Sequence, residues 1–182
     1  GYKLVRDLQA AGGFVTAAPG PNACILALIL SGLPTDAFFF GGFLPRKSGE
    51  RKTVLSRLST VPGTLIFYES ANRLLASLRD IQEALPGRKG AVGRELTKRF
   101  EEIQQGSMEE LHQYFFAKQS IKAEIVILIE PPLPTQITDH ILRHAIDETL
   151  KKMSLKDAVL EVSQRLDLPR KRVYALAFER EK

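Results

Sequence analysis

Short apolar runs alternate along this chain with stretches of helical period. Lys3 to Ala11 reads as a helix closed by Gly12-Gly13, and Phe14-Val15-Thr16-Ala17 as a short strand. Pro21–Leu30 is apolar nearly all round, the pattern of a helix that must be buried. Ala37–Phe43 reads as a strand, Glu50–Val61 as a helix, and Thr64–Tyr68, behind Pro62-Gly63, as a short buried strand. Ser70 is placed to cap a helix running through Ala84, whose apolar stripe is Leu74, Leu75, Leu78 and Ile81 and which Pro86-Gly87 ends. Lys89–Arg94 and Arg99–Gln104 read as strands, Ser107–Lys118 as a helix opened by the capping box Ser107-x-x-Glu110, and Ala123–Glu130 as a strongly apolar strand.

Strands alternating with helices predict an α/β fold in which helices flank a sheet. The pattern then changes. Pro131-Pro132-Leu133-Pro134-Thr135 is a stiff extended linker, and beyond it every signal is helical: about 138–151, 154–166 and 169–179. The expected organisation is a first domain over 1–130, a linker over 131–136 and a small all-α domain over 137–182, whose last two helices have the spacing of a helix-turn-helix.

Composition narrows the field only a little. The 182 residues are 44% hydrophobic and 26% charged, which fits one or two ordinary domains with a sizeable core and argues against disorder. A net charge of +5 is a mild bias toward a polyanionic partner. Cys24, the single cysteine, excludes an intramolecular disulfide and suits a buried thiol in a reducing compartment. No apolar run approaches the roughly 18 residues needed to span a bilayer, so no membrane is expected and the cytoplasm is the default location. No metal is expected either, because His112, His140 and His144 lie on predicted helices without a partner set of ligand spacing.

Four segments carry chemistry. The turn Pro19-Gly20-Pro21-Asn22 can lay backbone against a small molecule, with Pro21 suited to the first helical position and Asn22 and Ala23 at the amide-rich helix start; a plain strand-to-helix connection is the alternative. The loop Pro45–Lys52 concentrates Arg46, Lys47, Arg51 and Lys52 directly after a strand. Phe67-Tyr68-Glu69-Ser70 ends a buried strand, the place where open α/β sheets put ligands, although packing and capping would use the same residues. Arg94-Glu95-Leu96-Thr97-Lys98 sets a carboxylate among cations and a hydroxyl, which on its own is equally the pattern of a solvated hairpin.

Read together, these segments resemble the ribosomal RNA small subunit methyltransferase I family of the tetrapyrrole-methylase-like superfamily. Its GP(S/C)A turn, GLP(S/T)D with GFLP(R/K)KS, TLIFYES with HRL, and RELTK blocks stand here as Gly20-Pro21-Asn22-Ala23, Gly32–Asp36 with Gly42–Ser48, Thr64–Ser70 with Asn72-Arg73-Leu74, and Arg94–Lys98. Asn22 replaces a small Ser or Cys, and Ala123 replaces the Gly of a KGE motif whose outer positions are Lys122 and Glu124. The resemblance implies a mixed sheet flanked by helices and S-adenosylmethionine as cofactor, held by Asn22, Ala23, Tyr68, Gly93, Arg94, Lys122, Ala123 and Glu124. It implies methyl transfer to the 2′-hydroxyl of a cytidine in small-subunit ribosomal RNA or the 30S subunit, and a homodimer.

Glu95 is the first expected base and Glu69 the second, with Lys98 and Thr97 toward the acceptor. Arg46, Lys47, Arg51, Lys52, Arg170, Lys171 and Arg172 are the expected RNA contacts, a charge cluster being otherwise most often a solvated face. Gly1–Val5 looks like the family's DPGY(R/K)LV segment, and the Gly-rich loop and DAGTP motif that precede it in the family are not in this sequence. The chain is therefore expected to be the family's C-terminal portion, to carry about half of the cofactor pocket and to be inactive alone. A tetrapyrrole-type small-molecule methylase and a non-enzymatic helix-turn-helix nucleic-acid binder are the alternatives.

Overall fold

The computed structural model describes residues 1–118, 123–133, 138–166 and 168–178. The chain divides into two compact units, Gly1–Leu133 and Pro134–Lys182.

The first unit is built on a five-stranded sheet in the order β1-β2-β5-β3-β4, with β1 Phe38–Phe43, β2 Thr64–Ser70, β3 Lys89–Arg94, β4 Glu102–Ser107 and β5 Glu124–Ile129. Only β1 and β2 run parallel; the other pairs are antiparallel, so the sheet is mixed. Helices α1 Tyr2–Ala10, α2 Ala23–Leu30, α3 Ser48–Arg57, α4 Leu74–Ala84 and α5 Met108–Phe116 accompany it. The sheet is covered on both faces, which is why β2 and β5 read as near-continuous apolar runs. On one face Leu65, Phe67, Val92 and Ile127 pack with Leu55, Leu78, Leu111 and Phe115. On the other Ile66, Ala91, Val126 and Leu128 meet Cys24, Ala27 and Leu28 of α2 together with Leu96.

Local chemistry sets the boundaries. The Asn22 side chain caps α2 by accepting from the Cys24 and Ile25 amides at 2.9 and 3.2 Å. The capping box at Ser107 and Glu110 opens α5 as expected. Four expectations fail. Residues 14–17 form no strand, because a strand needs a hydrogen-bonded neighbour and none is present among the described residues; Phe14 stands 89% exposed. Helix α2 is covered on one face only, leaving Ile29 66% exposed. Ser70 is the last residue of β2 and makes no cap bond; a 3-10 turn, Ala71–Arg73, intervenes before α4. Strand β4 begins three residues later than expected, since Glu95–Glu101 turn back as a hydrogen-bonded loop.

The second unit contains α6 Asp139–Leu150, α7 Leu155–Arg165 and α8 Arg170–Phe178. The Thr138 and Ser154 side chains cap α6 and α7. Leu142, Ile146, Val159, Val162, Val173 and Ala177 form its core. Among the described residues no helix is long and apolar enough to cross a membrane.

Candidate active site

The site begins with a fault in an edge strand. Phe40 pairs with Ile66 and Phe43 with Tyr68, so Gly41 and Gly42 together stand opposite one residue of β2. A bulge of this kind needs a residue that accepts a positive φ, and Gly42 has φ +67°. Any side chain at Gly41 would collide with the Phe67 ring. The extra residue lets Phe40 and Phe43, which strict alternation would put on opposite faces, both set an edge against Tyr68, with ring centroids 4.8 and 5.7 Å away.

This aromatic cluster walls a cleft of about 510 Å³, completed by Ala23 at the start of α2, Glu69 and Ser70 at the end of β2, and Ala123–Val126 at the start of β5. A second cleft, about 620 Å³, shares Ala23 and Glu124 with the first and extends between the Gly20–Asn22 turn and the loop residues Leu96, Thr97 and Lys98. A third, about 740 Å³, shares Phe43 and Ser70 and is lined by Pro45, Arg46, Asn72 and Arg73. Turn, strand end and loop, distant in sequence, thus meet around one connected depression. The mouth is basic on the Arg46 side.

Two carboxylates differ in availability: Glu69 lines the first cleft, whereas Glu95 lines none of the three and meets the second only through its contacts with Lys98 and the Glu124 amide. Glu69 is buried, with both oxygens engaged. One oxygen accepts from the Ser70 amide at 2.7 Å and pairs with Arg73 at 2.5 Å, and the other accepts from Ser77 Oγ at 2.7 Å. The second expected base thus bridges the β2–α4 junction with both oxygens engaged and its side chain closed off from solvent. Glu95 keeps one oxygen open. Its Oε1 accepts from the Glu124 amide at 3.0 Å and lies 3.2 Å from Lys98 Nζ, while no partner of Oε2 occurs among the described residues. The Glu124 amide first, and then Lys98, hold the Glu95 carboxyl below the usual carboxylate range. Lys98 also lies 3.3 Å from Glu124 Oε2, and the Glu95 contact holds its ammonium above the usual lysine range.

The loop holding Glu95 is strained. Glu95 and Thr97 both have positive φ, +50° and +67°, which for a β-branched residue is a rare and costly conformation. It is over-determined by the Lys98 amide donating to Glu95 O at 2.9 Å, the Thr97 amide donating to Glu101 Oε2 at 2.6 Å, and a backbone bond from Glu95 to Glu124 O at 3.1 Å. Strain held this firmly is characteristic of functional loops.

Of the expected cofactor contacts, Ala23, Tyr68, Ala123 and Glu124 line the first cleft and Asn22 the second. The oxygen of Asn22 is spent on the helix cap, which leaves its NH2 group for the cleft. Gly93 lies buried on β3 beneath Leu96 and Ile103, and Arg94 turns to Glu102 at 3.2 Å, so neither lines the depression. Lys122 lies outside the described residues. Of the expected RNA contacts in the basic loop, Arg46 and Lys47 are exposed at its outer edge. Arg51 is not: its guanidinium is buried, pairs with Asp80 at 2.6 Å and donates to the carbonyls of Pro45 and Arg46. Lys52 is drawn to Glu83 and, at 3.8 Å, to Asp80. At the other end of the chain Arg170 and Lys171 are exposed, whereas Arg172 reaches back to Asp139 at 3.0 Å. Phe43 and Asn72 lie in the quoted family blocks but were given no role from sequence; the double glycine ahead of Phe43 was the available sign of a bulge.

The mixed sheet with its flanking helices, on which this cleft is built, is a tetrapyrrole-methylase-like fold. The chain belongs to the tetrapyrrole (corrin/porphyrin) methylase family, whose profile matches residues 1–112. Among relatives it is similar to ribosomal RNA small subunit methyltransferase I of Mesorhizobium japonicum, 50% identical over 72% of this chain and 45% of that protein. The enzyme of the same name from Erythrobacter litoralis is 42% identical over 96% of this chain and 62% of that protein. The chain thus spans roughly half to two thirds of the relatives it matches. Among solved structures, a cobalt precorrin-4 methyltransferase of cobalamin biosynthesis superposes with a TM-score of 0.50 at 16% identity, over 71% of this chain and 57% of that one. The methyltransferase CobJ gives 0.50 at 17%, over 72% and 63%.

Methyltransferases of this family use S-adenosylmethionine. The first cleft fits such a group in size and character: about 510 Å³ of largely apolar wall with the Tyr68 ring, Ala23 and the β5 backbone as surfaces for a flat, weakly polar ring system. The exposed Glu124 carboxylate stands at its junction with the second cleft as an acceptor for hydroxyls.

Proposed function

We propose that this chain takes part in S-adenosylmethionine-dependent methylation of small-subunit ribosomal RNA, with the 2′-hydroxyl of a cytidine as the acceptor. The observation that carries the reading is the junction at Phe43 and Ser70, where a nucleoside-sized apolar cleft opens into a wider one edged by Arg46, Asn72 and Arg73. A donor group and a phosphate-linked acceptor could meet there. The 50% identity to a named ribosomal RNA methyltransferase supports RNA over a small-molecule acceptor.

When bound, S-adenosylmethionine supplies an electrophilic methyl, so the protein's task is alignment and help with one proton. Ala23, Tyr68, Ala123 and Glu124 would hold the donor, with the Asn22 amide at the turn. Glu95 presents Oε2 to the acceptor hydroxyl from a loop that cannot relax away. Its carboxylate accepts the hydroxyl's hydrogen bond, orients the oxygen, and takes the proton as the methyl is transferred, releasing it to solvent. Lys98 keeps that carboxylate charged. Arg46 and Lys47 would take phosphates beside the acceptor. A homodimer working in the cytoplasm is part of the same proposal.

The test is methylation of small ribosomal subunits, isolated from cells lacking the enzyme, by the protein of natural length that carries this chain. Nucleosides are then resolved by mass spectrometry. Appearance of 2′-O-methylcytidine is expected. Methylation on a base, or of a corrin or porphyrin but not RNA, would refute the proposal.

A further inference from the structure

The second unit carries a groove of about 550 Å³ between α7 and α8 that belongs to none of the clefts above. Lys156 of α7 and Arg170 and Lys171 of α8 line it. Among the described residues none of the three has an ion-pair partner, whereas Arg165 and Arg172 are paired with Glu161 and Asp139. One carboxylate, Asp157, also borders the groove, but it is turned toward its own helix start, where Oδ2 accepts from Ser154 Oγ at 2.6 Å. Unneutralised cations facing one another across a groove repel unless an anion lies between them.

The same helix presents two aromatic rings that the unit's core does not use. Tyr174, one turn beyond Arg170, lines the groove, and Phe178 follows one turn later; they are 50% and 49% exposed. Their rings stand within 14° of parallel, with centroids 6.4 Å apart. The exposed face of α8 is therefore a phosphate-binding start followed by a flat aromatic ladder. Among the described residues of α8 no amide or carboxylate side chain follows Lys171.

We propose that this groove binds single-stranded RNA, with Lys156, Arg170 and Lys171 holding the phosphates and a base stacking on Tyr174, continued by Phe178. Stacking serves any base, so the contact would hold an unpaired segment without reading its sequence. The proposal rests on the RNA reading above and narrows it to single strands. It also corrects the expected trio of contacts, exchanging Arg172 for Lys156, which comes from a different helix.

The experiment measures binding of the whole chain, without methyl donor, to a short single-stranded oligoadenylate containing 2-aminopurine, and to an RNA duplex of the same length. Because no methylation is involved, failure here leaves the cleft's chemistry standing, and failure of methylation leaves this result standing. Quenching of 2-aminopurine and preference for the single strand are expected. Tyr174→Leu, which keeps apolar bulk, should weaken binding by about 5- to 150-fold with the salt slope unchanged, and Tyr174→Phe should bind as wild type. Replacing Lys156, Arg170 and Lys171 by Gln should flatten the salt slope by about 0.7 log units for each phosphate no longer neutralised. Circular dichroism checks that each variant is folded. Equal affinity for the duplex, a Tyr174→Leu variant indistinguishable from wild type, or displacement of RNA by an equal concentration of polyglutamate would each overturn the proposal, the last by making an acidic protein segment the occupant.

Discussion

Arg51 offers the sharpest test of the difference between charge in a sequence and charge in a structure. It sits in a run of basic residues and reads as an RNA contact, yet its side chain is 4% exposed against an Asp80 that is 7% exposed. Removing one partner of a buried pair strands the other charge, which typically costs about 3–5 kcal/mol. Here Asp80 would retain the Ser48 hydroxyl at 2.9 Å and Lys52 at 3.8 Å, so Arg51→Met should fall at the low end, about 3 kcal/mol. The arginine also tethers the Pro45 and Arg46 carbonyls, so the loop edging the third cleft should loosen with it. By calorimetry the first unit's transition should drop by about 6–12 °C. Arg51→Met combined with Asp80→Leu should recover most of the loss, because a buried ion pair exchanged for apolar side chains is often near neutral. RNA binding should keep its salt slope in the single variant. A Met variant as stable as wild type, with a slope flattened by about 0.7 log units, would restore Arg51 as a phosphate contact and refute its role as a buried tether.

Other expectations are more local. Asn22→Ala removes a cap with two bonds and should cost about 1 kcal/mol in urea denaturation, while Asn22→Ser, which keeps an acceptor, should cost less. Burial alone would raise the Glu102 carboxyl, but Lys118, Tyr114 and Arg94 outweigh it and hold it below the usual range. Its contribution to stability is then present above the ordinary carboxylate range near about pH 4 and lost as pH falls through the depressed value. Glu102→Gln should therefore be less stable at neutral pH and differ little from wild type in strong acid, as followed by circular dichroism across an acid titration. In single-turnover assays of the natural-length protein, Glu95→Gln should slow methyl transfer by roughly 10²–10⁴-fold. Glu69→Gln should instead lower thermal stability. The 182-residue chain alone should bind S-adenosylmethionine weakly in calorimetry, since it spans only 45% and 62% of two methyltransferase relatives and is expected to carry about half of the cofactor pocket; micromolar affinity would contradict this.

The elements were largely legible because their signals are local. The α4 stripe of Leu74, Leu78 and Ile81, the Ser107–Glu110 capping box and the apolar run of β5 each carry their own periodicity or hydrogen-bond chemistry, and the structure keeps them. Much of the candidate site was legible too, since turn, strand end and acidic loop are contiguous motifs. Other features had no local sign. Residues 14–17 have strand composition but no neighbour to bond, and whether a neighbour exists is a fact about the rest of the fold. Glu69 and Glu95 look alike as carboxylates beside cations; Ser77 from α4 engages the second oxygen of the first, while Glu124 from β5 engages one oxygen of the second. Arg51 and Lys156 are the complementary pair: α4 brings Asp80 to the former, and α8 sets Arg170 and Lys171 beside the latter, with no ion pair to any of the three among the described residues. Sequence by itself determined most of the helices and strands and the groups they carry, because their signals depend on neighbours within a turn or two; residues 14–17 are the exception. Beyond local pairs such as Glu69 with Arg73 and Glu161 with Arg165, tertiary structure decided which groups are neutralised, because desolvation and long-range ion pairing depend on what packs against them from elsewhere in the chain.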